Sequence, residues 1–138
     1  MRECGALPHA KVPPSVIDDE IRLALPAAPD FARLARITVA GLANRVGFTY
    51  DEVEDLRIAV GEACLVLIGP EGRSGTLDLV FRLTTDGLEV EATGRFELDG
   101  AADHPSDLSV QILDAVVDEH EVLASGNALR LRKRRAHH

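Results

Sequence analysis

Paired carboxylates and clustered histidines are the first residues to consider for chemistry, because acid–base catalysis and metal binding depend on them. Asp114 and Asp118 lie four residues apart in a segment of helical periodicity, so both fall on one helix face. Carboxylates at that spacing are far more often a solvated helix face than a catalytic pair. His104 and His120 have no cysteine or histidine at ligand spacing. The sequence therefore predicts no metal site.

Composition limits the classes of function. The chain has 138 residues and a formal net charge of −8, which suits one compact domain. The excess of negative charge argues against binding to nucleic acid or to an anionic membrane. Cys4 and Cys64 make no disulfide framework, and no segment approaches the ~18 apolar residues of a membrane span. Because the N-terminus also lacks the apolar core of a signal peptide, we expect a soluble cytoplasmic protein.

Basic residues concentrate near the C-terminus, and two interpretations of them remain open. One is a solvated last strand and tail. The other is a small patch for nucleic acid or phosphate, although no aromatic residue interleaves with the charges to stack on bases. These residues are Arg130, Arg132, Lys133, Arg134 and Arg135.

Proline content and periodicity divide the chain into three parts. Prolines and small residues over 1–19 predict a flexible arm. Regular apolar patterns over 20–134 predict a single domain, and 135–138 remain as a tail.

The domain begins with the pattern of a strand and a helix. Apolar residues alternate from Glu20 to Leu25 and predict a half-buried strand. Asp30 is a suitable N-cap for a first helix, which Gly47 would end. The predicted buried stripe of this helix is Phe31, Leu34/Ala35, Thr38, Leu42 and Val46.

A second helix is marked by its capping box. Thr49 at the N-cap and Glu52 three residues later predict a helix over 50–68, ended by Gly69. Its predicted buried side consists of Val53, Leu56, Val60, Ala63/Cys64 and Leu67.

Two hairpins and a third helix complete the pattern. Asp86-Gly87 is a strong hairpin turn, and Ser106 or Asp107 could cap the last helix. We therefore predict an α+β two-layer sandwich: a mixed, mostly antiparallel sheet of about five strands, with three helices on one face. The remaining segments are strands over 77–83, 88–92, 119–123 and 128–133, a loop over 94–107 and a helix over 108–117.

Three segments, in order and spacing, carry a resemblance to a known family. They are Ala35–Leu42, Asp51–Cys64 and Leu113–Glu119. Together they resemble the RsbW-type anti-sigma factors, which are serine kinases of the GHKL (histidine-kinase-like, Bergerat-fold) ATPase superfamily. The resemblance covers about residues 20–134, which is most of the chain. It implies the histidine-kinase-like fold, a sigma factor and an anti-anti-sigma protein as partners, and a homodimer.

The resemblance implies a role for Glu62. In the family, a Glu here acts as general base toward a serine of the anti-anti-sigma protein, and an Asn four residues later coordinates the Mg²⁺ of ATP. The Asn position is Val66 in this chain, and valine has no oxygen to offer a cation. The alternative for Glu62 is a solvated carboxylate on a helix edge.

Two further nucleotide contacts of the family are replaced. Its Asp-x-Gly segment, whose Asp receives the adenine amino group, corresponds to Ala92-Thr93-Gly94, so only Gly94 remains. Gly94 is then either a vestigial cofactor glycine or a loop glycine that needs a positive φ. The Gly-rich phosphate turn corresponds to Pro105–Ser109, which has no glycine and carries Asp107. The resemblance therefore implies a retained fold with no bound cofactor and catalysis lost.

The resemblance also marks protein-binding residues. Arg36 occupies the position of the arginine that contacts the sigma factor, and Arg33 shares its helix face. The alternative is a pair of ordinary surface arginines. For the homodimer, Ile21, Leu23 and Leu25 could present a strand for pairing between sheets.

Three functional hypotheses follow. The leading one is an anti-sigma-factor-like regulator that sequesters a sigma factor, with ATP binding and kinase activity lost. The second is an active serine kinase that uses ATP with Mg²⁺ to phosphorylate an anti-anti-sigma factor. The third is a non-catalytic regulatory partner subunit that binds another regulator. ATP binding separates the first two, and the identity of the bound partner separates the first from the third.

Overall fold

The computed structural model describes residues 17–97, 105–123 and 127–136 of the chain. Five strands and three helices lie in these ranges, in the order β-α-α-β-β-α-β-β. The strands are β1 (Ile17–Pro26), β2 (Gly75–Thr84), β3 (Gly87–Phe96), β4 (Glu119–Val122) and β5 (Ala128–Arg134), and the helices are α1 (Ala32–Val46), α2 (Tyr50–Ile68) and α3 (Asp107–Val116).

One sheet, in the order β1-β2-β3-β5-β4, forms one layer, and the helices form the other with α2 between α1 and α3. All the pairings among the described strands are antiparallel. The predicted α+β two-layer sandwich is therefore confirmed, and it is consistent with the histidine-kinase-like fold. The side chains of alternate residues in each strand point toward the helices and form the core between the two layers. The largest fully buried side chains include Phe81, Leu56, Leu77, Leu79, Leu113 and Leu131.

The face of the sheet away from the helices carries a ladder of ion pairs. Arg82 of β2 donates to Glu20 of β1 at 3.0 Å and to Glu89 and Glu91 of β3 at 2.9 and 3.1 Å. Arg132 of β5 reaches the other oxygen of Glu89 at 2.9 Å. Because acidic and basic residues alternate from strand to strand, these cross-strand pairs favour the observed register.

The predicted start of α1 is wrong, and its predicted buried stripe is confirmed only in part, since Ala35 is buried and Leu42 and Val46 pack against the core. A 3-10 turn, Pro29–Phe31, precedes the helix, and no side chain caps it, so Asp30 is not the N-cap. The fully buried residues are Ala35, Val39 and Ala43, whereas Leu34 is 46% exposed. The predicted stripe followed the larger apolar side chains, but close packing against α2 and the sheet selects small residues.

The prediction for α2 is confirmed. Glu52 N donates to Thr49 Oγ1 at 3.2 Å, and Thr49 N donates to Glu52 Oε1 at 2.8 Å, which completes the capping box. All the residues predicted for its inner side are buried. No helix in the described ranges is long and apolar enough to span a membrane.

Several element boundaries differ from the sequence pattern. β1 begins at Ile17, inside the predicted arm, whose first sixteen residues lie outside the described ones. β3 continues to Phe96, so the predicted loop at 94 begins too early. Ser106 is the cap of α3, whose first residue is Asp107, and Leu108, with which the predicted helix begins, is 66% exposed. The second hairpin forms as expected, with residues 124–126 of its turn outside the described ranges.

Candidate functional site

Glu62 lies on the side of α2 that faces α3, where it is half-buried. Ser109 of α3, a buried polar residue that is 8% exposed, donates its hydroxyl to Glu62 Oε2 at 2.5 Å. Ser106, the N-cap of the same helix, accepts from Ser109 N at 3.1 Å. Glu62 is therefore held by α3, and the alternative of a freely solvated carboxylate is wrong.

Val66 and Ala92, at the two positions where the resemblance implies polar nucleotide contacts, lie in apolar surroundings. Val66, one turn after Glu62, is half-buried and packs against the hydrophobic core. Ala92 is fully buried in β3, opposite Leu79 of β2 and Leu129 of β5. Neither side chain has an atom that could bind Mg²⁺ or accept a hydrogen bond from adenine.

Gly94 lies within β3, opposite Leu77, and is buried. It is not among the glycines with positive φ, so the loop-glycine interpretation is wrong. A Cβ built at Gly94 would overlap the ring of Phe96, which folds back over it. The Arg73 guanidinium in turn lies 3.9 Å from the centroid of that ring, in cation–π geometry. Gly94 is therefore required by the close approach of Phe96, a contact that no sequence pattern indicated.

The segment that corresponds to the phosphate turn leads into α3. Asp107 is exposed in the first turn of this helix. A carboxylate there interacts favourably with the positive end of the helix dipole, the same end that would attract a phosphate. Residues 98–104, just before this turn, lie outside the described ranges.

Arg33 and Arg36 both lie on α1, but the structure places them differently. Arg33 is exposed, while Arg36 is half-buried against α2. A Cβ built on Gly61 would lie 3.2 Å from Arg36 Cδ and 3.3 Å from its Nη1, so the arginine side chain crosses α2 at this glycine. Beneath it, burial raises the pKa of the Cys64 thiol to about 12, and the Arg36 charge opposes only part of that shift.

Large apolar side chains of α1 and α2 are also exposed. Leu34 and Ile37 of α1 are 46% and 56% exposed, and Ile58 and Leu65 of α2 are 49% and 45% exposed. Sequence reasoning assigned Leu34 to the core and gave no role to the other three. Val39 and Ala43, at four-residue spacing from Ala35, were the signal that could have rotated the predicted face of α1.

The basic C-terminal residues have internal partners. Arg130 pairs with Glu121, and Lys133 Nζ donates to the Val116 carbonyl at 2.9 Å. Arg135 Nη1 donates to the Val46 carbonyl at 3.0 Å. These contacts favour a structural strand and tail over a phosphate patch.

Metal and dimer predictions concern other parts of the surface. Over the described residues, no group of three His, Cys, Asp or Glu side chains could hold a metal ion, and His104 lies outside those residues. His120 Nε2 lies 2.6 Å from Asp114 Oδ1. On the edge strand β1, Ile21 and Leu23 are half-buried and Leu25 is buried. Pairing of β1 with a second copy stays a prediction.

Comparison with known proteins confirms the resemblance. The chain is 39% identical over 85 residues to the serine-protein kinase RsbW of Halalkalibacterium halodurans, covering 59% of this chain and 52% of that protein. It is 41% identical over 75 residues to RsbW of Bacillus subtilis, covering 52% and 47%, and 38% identical over 76 residues to RsbW of Bacillus cereus, covering 54% and 48%. The chain thus spans about half the length of the curated relatives it matches. No protein-family model matches it.

Proposed function

We propose that the chain is an anti-sigma-factor-like regulator that binds an RNA polymerase sigma factor through α1 and the adjoining surface of α2. The similarity to proteins named RsbW supports the family context. The sigma factor enters through the resemblance of Ala35–Leu42, which contains Arg36, to the sigma-contacting segment of that family.

The surface of α1 is the observation that carries this proposal. The helix contains three arginines and no acidic residue, in a chain whose net charge is −8. Within the described ranges, no ion pair or side-chain hydrogen bond engages Arg33, Arg36 or Arg45. Large apolar residues of the same two helices are exposed in the free chain. Apolar side chains and arginines that become buried on binding are typical of the centre of protein interfaces. Such a surface complements an acidic, apolar segment of a partner.

Nucleotide binding fits the residues poorly. An Mg²⁺ ion needs oxygen ligands, and Val66 offers none. Ala92 cannot accept a hydrogen bond from adenine, and the Phe96 ring covers Gly94, where the family leaves room for the base. Ser109 already donates to Glu62 and so competes with any substrate hydroxyl for that carboxylate. These four features support a regulator without a cofactor, in which Glu62 and Gly94 have structural roles.

A serine kinase is the second candidate, because the relatives are named serine-protein kinases and Glu62 is retained. Such a kinase would bind ATP with Mg²⁺ and modify an anti-anti-sigma protein. Isothermal titration calorimetry with ATP and Mg²⁺ separates the two candidates. We expect no binding at millimolar nucleotide, and a low-micromolar dissociation constant would refute the loss of the cofactor.

Sigma binding is tested directly by co-expression. Each sigma factor of the genome that encodes this chain is co-expressed with the tagged chain, and a pair that co-purifies is measured by calorimetry. Arg36→Ala should weaken that complex by about thirtyfold, since a buried arginine anchor is worth ~2 kcal/mol or more. If no sigma factor binds, or if Arg36→Ala binds normally, the proposal is wrong. Binding only to another regulator would favour a non-catalytic partner subunit.

A homodimer belongs to the same proposal. Among the described strands, β1, which has ten residues, lies at the edge of the sheet, and a strand edge can pair with a second copy. Light scattering should then give a mass near twice 14.9 kDa. A monomer at all concentrations would exclude the dimer without excluding sigma binding.

A further inference from the structure

Gly61 lies in the middle of α2, where the backbone gives no reason for a glycine. It is not among the residues with positive φ, and glycine inside a helix is less stable than alanine. What its missing side chain permits is the approach of Arg36, whose Cδ would lie 3.2 Å from an added Cβ. The aliphatic part of Arg36 therefore rests directly on the surface of α2.

A small pocket lies beside the Arg36 guanidinium, between the 3-10 turn, α1 and α2. Its volume is about 170 Å³, and Gly61 is part of its wall. A cavity of ~150 Å³ can accept a benzene molecule, so the space suits one apolar side chain. The other residues that line it are Pro29, Ala32, Leu65 and Ile68.

We propose that Gly61 is a positioning residue for the partner-binding surface. Its missing side chain lets Arg36 lie across α2 and keeps the adjoining pocket open. The pocket receives an apolar side chain of the partner, and Arg36 binds a carboxylate next to it on the same partner segment. This inference rests on the proposed function, because it concerns how the sigma-binding surface is built.

Gly61→Ala tests the proposal with the sigma factor that binds the wild-type chain. The added methyl group should displace Arg36 and narrow the pocket, so we expect the complex to weaken by about tenfold. The melting temperature should stay the same or rise, because alanine favours the helix. Loss of affinity without loss of stability is the opposite of what a damaged fold would produce.

Gln111→Ala is the control. Gln111 is an exposed residue of α3, which packs against the other side of α2 from α1, so the substitution lies outside the proposed surface. It also places an alanine in a helix and should leave the affinity within about twofold.

A double-mutant cycle assigns the effect to Arg36. In the Arg36→Ala background, Gly61→Ala should cost clearly less affinity than it does in the wild-type chain, because the side chain that Gly61 positions is already gone and only the narrowing of the pocket remains. If Gly61→Ala binds like the wild type while Arg36→Ala is weakened, this inference is wrong and the proposed surface stands. A full additional loss in the Arg36→Ala background would also overturn it. If Arg36→Ala binds normally, the proposed surface and this inference fail together.

Discussion

Lys133 should stabilise the fold more than any other residue of the basic C-terminal cluster. Its side chain is only 12% exposed, its Nζ donates to the Val116 carbonyl at the end of α3 at 2.9 Å, and Asp55 Oδ2 of α2 lies 3.6 Å away. Lys133→Met keeps the length and the apolar stem but removes the charge and the donor. Hydrogen bonds from charged groups contribute ~1.5–3 kcal/mol, and a cation at a helix C-terminus adds ~0.3–1 kcal/mol.

We therefore expect Lys133→Met to lower the free energy of unfolding by about 2 kcal/mol, a drop in melting temperature of about 6–8 °C at this chain length. Urea and thermal unfolding followed by circular dichroism measure both quantities. Arg134→Met is the control, because the Arg134 side chain is 57% exposed and lies 3.8 Å from Glu119. That variant should change stability by under ~0.5 kcal/mol. If the two substitutions lower stability equally, the contacts of Lys133 with Val116 and Asp55 are not what stabilises the fold.

Three further predictions concern the hydrogen bond of Ser109, the pKa of Glu20 and the burial of Cys64. Ser109→Ala should lower stability by about 1–2 kcal/mol in urea unfolding, because Glu62 loses its donor; an unchanged midpoint would contradict the link between α2 and α3. The hydrogen bond from Arg82 lowers the pKa of Glu20 in the folded state. The ionised Glu20 side chain therefore stabilises the fold above its ordinary pKa of 4.5, and this contribution to stability is lost as the pH falls through the lowered pKa. Arg82→Met should raise that pKa in an NMR titration, and no change would disprove the pairing. With a thiol pKa of about 12 and no exposed surface, Cys64 should resist a thiol reagent at pH 8 until the protein unfolds; rapid labelling of the folded protein would show that it is accessible.

Local signals in the sequence predicted those elements whose causes are local. The capping box of Thr49 and Glu52 and the 3.6-residue period that follows depend only on neighbouring residues, and α2 formed as expected. The hairpin predicted at Asp86-Gly87 also forms, but its two turn residues are Thr85 and Asp86, and Gly87 begins β3. Gly87 has no positive φ, and a Cβ there would lie 2.5 Å from the Lys133 carbonyl oxygen of β5, a contact that the local pattern does not reveal.

Tertiary contacts determined what the sequence could not predict. The buried face of α1 depends on how closely α2 approaches, so Ala35 and Val39 are buried while the larger Leu34 is exposed. The contact of Phe96 with Gly94 joins two residues of one strand, but it forms because the ring turns back toward the core. The bond between Ser109 and Glu62 spans 47 positions, a separation over which periodicity carries no information.

The position of β5 has a consequence for the order in which the protein can fold during synthesis. Among the described strands, β5 comes last in the sequence, yet it lies between β3 and β4 in the sheet. Just beyond it, Arg135 binds the end of α1 and the amide of Ala136 donates to Glu52 of α2 at 2.9 Å. A nascent chain that lacks β5 leaves β3 as an unpaired edge and β4 without a partner. We therefore expect the domain to close in a single late step, after β5 has left the ribosome, with chaperones most needed just before then.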